Sequence, residues 1–199
     1  MASFLIELCG FNSRATFYLE AAEKGVIEMD RHLDRLRRAI DSSVAGLTMD
    51  QLSWHPPGKW CAAEVLEHLY LTYTGTIKGF ERMLAQDRPS ATSSSWQHRA
   101  GSFLVLRLGY MPSGRKTPSV ARPRGIAPEK ILAEIGTKIT EMDAAILRSE
   151  QKFGSGKLLD HPILGALSAA EWRKFHLVHG LHHARQIRSL RQRAAPPEQ

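Results

Sequence analysis

The stretch from Ser168 to Leu190 limits the possible folds of this chain more than any other. Trp172, Phe175, His176, His179, His183, Gln186, Ile187 and Leu190 recur there at the spacing of one helical face. Ser168 and Glu171 stand three apart at its start, the positions of a capping box whose hydroxyl and carboxylate satisfy the free amides of a helix N-terminus. Four of the nine histidines fall within eight positions, His176 to His183. An imidazole on a core-facing stripe costs free energy unless it is partnered, so several of them stacked there require something in common. His179 and His183 are four residues apart, which places their rings about 6 Å from one another along the axis. One divalent cation can serve both.

Three more helical patterns precede this one. From about Thr16 a stripe emerges and sharpens through Val26, Met29, Leu33, Leu36, Ile40, Val44 and Leu47, with Gly46 suited to a C-cap. A second predicted helix runs from about Cys61 to Ala85, with Cys61 and Glu64 in capping-box positions and an apolar face of Val65, Leu66, Leu69, Tyr73, Ile77, Phe80 and Leu84. His68 lies on or beside that face. A third spans about Pro128 to Lys152, with proline in its first turn and Ile131, Ile135, Ile139, Met142 and Ile146 as its stripe.

The remaining stretches read as connections. Leu47 to Trp60 holds Pro56, Pro57 and Gly58, and its tryptophans, Trp54 and Trp60, are expected to pack back on the helices. Gln86 to Gly125 is Ser/Thr-rich at one end and Pro/Gly/Arg-rich at the other, around a segment FLVLRLGY that suits a short helix or a buried strand. A structureless connection of that length is unusual in a compact domain, so it should cover something. FGSGKLLDHPILGAL is a second linker. Residues 1–15 read as an arm and residues 191–199 as a flexible tail.

With no strand alternation, the pattern predicts an all-α single domain, a four-helix bundle. The link of about 40 residues between the second and third helices is long enough to run back along a bundle and make them parallel. The order is then up-down-down-up, with the second and fourth helices antiparallel. His68 lies seven residues into the second helix and His183 seven before the end of the fourth. In opposite directions, the two fall at about the same height.

Here the chain resembles the DinB-like metalloprotein superfamily. LTMDQLSWHPPGKWCAAEVLEHL is similar to that family's W-S-x-x-E-x-x-x-H-L start of helix 2, with Trp60, Glu64 and His68 in place. HPILGALSAAEWRKFHLVHGLHHARQI is similar to its H-x-x-H-H-x-x-Q signature, here His179, His182, His183 and Gln186. The resemblance spans roughly residues 30–190 and departs at Cys61, where serine is usual. It implies the up-down-down-up bundle with His68, His179 and His183 as metal ligands, and suggests a homodimer. His182 is about 100° off the stripe, which points to the surface or to support of a ligand. His176 reads as pocket lining, and Gln186 as either a ligand's support or helix packing. Trp172 and Phe175 read as core and Glu64 as a cap, while Cys61 is too far from His68 to share its ion. His55, His98 and His161 fall in loops and carry no pattern.

Three imidazoles on a divalent ion leave a position for water or substrate, as in catalytic zinc sites. Zinc or nickel suits such a site first; iron or manganese are alternatives, and copper also tolerates nitrogen ligands. The resemblance implies an enzyme of the thiol-dependent S-transferase type, taking a small-molecule substrate and a low-molecular-weight thiol. Arg185 and Arg188 are candidates for its carboxylates. The alternatives are a metal-dependent hydrolase that activates water, and a non-catalytic metal-binding or nucleic-acid-associated bundle.

Composition narrows the setting. Hydrophobic residues make up 43% and charged residues 24%, an ordinary globular balance. Cys9 and Cys61 make no disulfide framework. MASFLIELCG lacks the basic start of a signal peptide, and no stretch is long and apolar enough for a span. The cytoplasm is expected, with no membrane role. The net charge of +7 would permit nucleic-acid binding. Yet no aromatic residues interleave Arg31, Arg35 and Arg38, the loop cations Arg115, Lys116, Arg122 and Arg124, or the closing Arg185, Arg188, Arg191 and Arg193. They read as a solvated basic surface.

Overall fold

A computed structural model describes residues 28–111 and 117–194. The expected arm, the part of the first helix before residue 28 and residues 195–199 lie outside the described residues. The chain is mostly helical, as expected for the all-α class. The α-helices among the described residues are α1 (Arg31–Val44), α2 (Met49–Ser53), α3 (Ala62–Ala85), α4 (Trp96–Ser102), α5 (Pro128–Phe153) and α6 (Ala169–Ala194). Among the described residues no helix is long and apolar enough to cross a membrane.

The boundaries follow from local chemistry. The first helix does not run through residue 28 as its apolar spacing predicts, because Asp30 stops it. The Asp30 carboxylate accepts from the His32 amide at 2.8 Å, capping α1. The connection before α3 contains α2, held by a reciprocal box between Thr48 and Gln51. Trp60 packs against the core but Trp54 remains exposed, so only one of the two tryptophans behaves as expected. At α3 the Glu64 carboxylate accepts from the Cys61 amide at 2.8 Å. At α6 the Ser168–Glu171 box forms in both directions. Residues 191–194 of the expected tail are helical, since α6 continues to Ala194.

The stripes meet in one core. Leu33, Leu36 and Ile40 of α1, Leu66, Leu69 and Phe80 of α3, and Ile131, Ile139 and Ile146 of α5 are fully or almost fully buried, together with Ile187 of α6. α1 lies against α6, and α3 against α5 and α6. Tyr70 donates to Glu134 at 2.6 Å, and Glu81 pairs with Arg148 further along both α3 and α5. Between α3 and α6 the order is reversed: His68 meets His179, Thr76 meets His176, and Phe80 meets Trp172. Asp143 of α5 and Arg173 of α6 form a buried pair at 3.1 Å. Asp143 also accepts from the Asp30 amide at 2.8 Å, and Arg173 reaches Glu150 at 2.7 Å.

The second linker is not a plain loop. It contains a two-stranded antiparallel hairpin, β1 (Leu159–His161) and β2 (Gly165–Leu167). Three-residue strands are too short to display an alternation, which is why no pattern foretold them. The Ser/Thr-rich start of the long crossover laces onto this hairpin: Thr92 donates to Asp160, Ser94 accepts from the Ala166 amide, and Ser102 donates to the Leu164 carbonyl at 2.8 Å. FLVLRLGY becomes a π-helical turn (Phe103–Arg107) that buries only Val105. The crossover then returns over α3 through a 3₁₀ turn, Ser119–Ala121.

Candidate metal centre

α3 presents His68 to the face of α6 that carries His179 and His183. The Nε2 atom of His179 lies 3.2 Å from Nε2 of His68 and 3.1 Å from Nε2 of His183. One nitrogen from each of the three residues falls within 4.8 Å of the other two, a grouping that could hold a metal ion. Nitrogens around a tetrahedral ion with bonds of ~2.0–2.1 Å stand about 3.3–3.4 Å apart. The two measured separations are close to that spacing.

The outer nitrogens show which way the lone pairs point. Nδ1 of His68 is 2.8 Å from the carbonyl oxygen of Ala121. A carbonyl only accepts, so Nδ1 carries the proton and Nε2 presents a lone pair inward. Nδ1 of His183 is 3.0 Å from Oε1 of Gln186, which makes the same assignment there. Three neutral rings therefore bring at least two bare lone pairs to one point. The single proton of His179 can satisfy only one of them.

Protonation does not relieve the crowding. Burial pushes His183 down to about 3, with the neighbouring His68 adding to it. Burial, then His183 and His68, holds His179 well below the usual histidine range, and burial also lowers His68. A cation is the partner that accepts every lone pair without adding a proton. The donor set, its spacing and the tautomers of His68 and His183 fit a divalent ion. His68 and His179 are buried and His183 is half-buried, the least covered of the three.

Packing holds the rings in place. The Phe175 ring stacks on His179 at 5.3 Å with only 12° between the planes, and Trp60 lies 5.6 Å from His68. Gly180 lets α1 approach the centre, since a β-carbon there would overlap Leu36 and stand 3.4 Å from the Tyr73 hydroxyl. Glu67, next to His68, turns the other way. Its carboxylate accepts from the Arg124 and Gly125 amides at 2.8 and 3.1 Å, fastening the returning crossover that delivers Ala121.

The other candidates fall elsewhere. His176 is fully buried and outside the cluster, with Nε2 3.2 Å from Thr76 Oγ1 and its ring stacked on Trp172. Burial pushes it down to about 3. His182 is half-buried with its ring edge-on to His183 at 5.0 Å, and contributes no nitrogen to the cluster. Cys61 is buried, and burial pushes its thiol up. His161, expected in an uninformative loop, is in β1: Nδ1 accepts from the Ile163 and Leu164 amides at 3.1 Å and the ring lies 4.3 Å from Phe175. Its burial pushes it down to about 4. Arg188 turns toward the Ala39 carbonyl of α1 and lines a cavity of about 600 Å³ with Ser42, Gln51, Arg191 and Gln192. Arg185 is exposed.

A family model described as "Protein of unknown function (DUF1569)" matches residues 27–190. No curated protein and no solved structure matches the chain.

Proposed function

This chain belongs to the DUF1569 family, and from its geometry we propose that it binds one divalent cation through Nε2 of His68, His179 and His183. The observation that carries this is the convergence of those nitrogens while two of the three outer nitrogens face oxygen acceptors. Zinc and nickel suit such a nitrogen set best. In this reading α1, α3, α5 and α6 form an up-down-down-up four-helix bundle. The reversed order of contacts between α3 and α6 and the matched order between α3 and α5 support it.

With three protein ligands the ion keeps a free position, and the half-buried side at His183 is where a small molecule would reach it. A divalent ion there supplies positive charge that lowers the pKa of a bound thiol or water. The resemblance to DinB-like proteins favours a thiol-dependent transferase over a hydrolase. The chain's own residues would then bind and orient: His68 and His183 are fixed by Ala121 and Gln186, and Phe175 and Trp60 wall the centre.

The test is elemental analysis of full-length protein purified without chelators or affinity metals. About one equivalent of a transition metal is expected, lost in His68→Ala and His183→Ala. Equal metal in all three proteins would end this reading. A screen of electrophiles with and without added thiols then separates the chemistries, since turnover that needs no thiol means a hydrolase.

A further inference from the structure

The charge of this chain is concentrated in one place. Residues 88–127 contain seven Lys and Arg and no Asp or Glu, so the remaining 20 cations face 20 acids and the net +7 belongs entirely to this crossover. Elsewhere several cations are paired, as Arg38 is with Asp34, Lys130 with Glu134, Lys152 with Asp87 and Arg173 with Asp143. Among the described residues, Arg99 and Arg107 form no ion pair.

These two arginines are interleaved with aromatic rings. Along α4 and the π turn, Trp96, Arg99, Phe103, Arg107 and Tyr110 follow one another at spacings of three and four, and all are exposed. Trp96, Phe103 and Tyr110 are 76%, 59% and 57% exposed, and Leu108 beside them is 63% exposed. The interleaving missing from the other basic clusters is present here, over a face about 20 Å long. A lone exposed apolar residue needs no explanation, but four within residues 96–110 do.

We infer that this face docks the protein onto an anionic lipid bilayer, with Trp96, Phe103, Leu108 and Tyr110 entering the headgroup boundary while Arg99 and Arg107 meet lipid phosphates. Charge complementarity calls for an anionic partner. A second copy joined symmetrically through this face would set Arg99 and Arg107 against the same cations of its partner. Single-stranded nucleic acid is bound in grooves whose aromatic rings stack on bases. Here the side chains protrude, and Leu108 has no ring to stack yet is as exposed as the aromatics. Protruding Trp, Tyr, Phe and Leu beside arginine match the chemistry of an interfacial anchor.

The test is co-sedimentation of the full-length protein with vesicles of phosphatidylcholine alone and of equimolar phosphatidylcholine and phosphatidylglycerol. Binding is expected only with the anionic vesicles and should weaken with salt. Each arginine near the surface contributes about fivefold to partitioning, so R99Q/R107Q together should lower it about 25-fold. W96S/F103S should weaken it at unchanged charge. All four positions are exposed, and circular dichroism checks that the helices remain. The wild-type comparison of the two vesicles needs no variant. Equal sedimentation with both vesicles, or variants that bind as wild type does, would overturn the inference. So would a single-stranded oligonucleotide that binds more tightly and displaces the vesicles, or a dimer that W96S/F103S converts to monomer.

Discussion

Nδ1 of His68 lies 2.8 Å from the backbone carbonyl of Ala121, 53 residues away in sequence. The crossover between α3 and α5 therefore sets the tautomer of a histidine in the cluster. Ala121 is buried, so a larger side chain must push the 3₁₀ turn outward and take the carbonyl with it. Ala121→Trp should lower metal affinity about 10- to 100-fold, the usual cost of losing a ligand's outer partner. Competition with a chromophoric chelator measures this, and unchanged affinity would mean that the carbonyl does not orient His68.

Gln186 plays the corresponding part for His183 at 3.0 Å. Gln186→Leu should weaken metal binding by about tenfold or more, while Gln186→Glu, which keeps an acceptor, should retain it. If both variants lose affinity equally, Gln186 acts through helix packing instead.

At Gly180 of α6 any β-carbon overlaps Leu36 of α1. Gly180→Ala should destabilise the protein by about 1–3 kcal/mol through overpacking. That outweighs the ~1 kcal/mol alanine would gain in helix propensity. Urea denaturation decides the sign, and a stabilised variant would show that α1 and α6 have room between them.

The buried pair of Arg173 and Asp143 should behave asymmetrically. Arg173→Met leaves Asp143 without its guanidinium and should cost about 3–5 kcal/mol. Adding Asp143→Leu should recover part of that loss. Equal stabilities of the single and double variants would show that the loss does not come from an unpaired Asp143 carboxylate.

Acid should destabilise the fold through its buried histidines. His176, pushed down to about 3 by burial, stays neutral while an unfolded histidine takes up a proton near pH ~6.5. Below that pH the unfolded chain holds more protons, so stability falls as pH falls from about 6.5 toward 3. Between pH 7 and 5 the loss from His176 alone is about 2 kcal/mol, with His161 acting in the same direction. Denaturation at the two pH values should show a smaller difference in His176→Gln. An identical difference would place the pH sensitivity elsewhere.

The cluster was partly legible in the chain. His179 and His183 are a local pair, four apart on one helix, and the depth of His68 matched them through helix lengths and loop lengths alone. The partner of His68 was not legible, because a backbone carbonyl has no residue signature and Ala121 resembles any other alanine. Glu67 was missed for a related reason: it sits off the apolar face of α3, and its partners are two amides of the crossover. The basic–aromatic face was missed because FLVLRLGY could be helix or strand, and only the observed turns put Trp96, Arg99, Phe103, Arg107 and Tyr110 in line.

The sequence by itself determined the helical class, the apolar stripes, the capping boxes at α3 and α6 and the stacked histidines of α6. All of these depend on residues within a few positions of each other, where the 3.6-residue period translates spacing directly into shape. Tertiary structure alone decided that a linker becomes a hairpin, that His161 packs on Phe175, and which atom faces the outer nitrogen of His68. Those outcomes depend on which distant segments meet, and that is settled by packing and hydrogen-bond satisfaction across the whole core rather than by any local pattern.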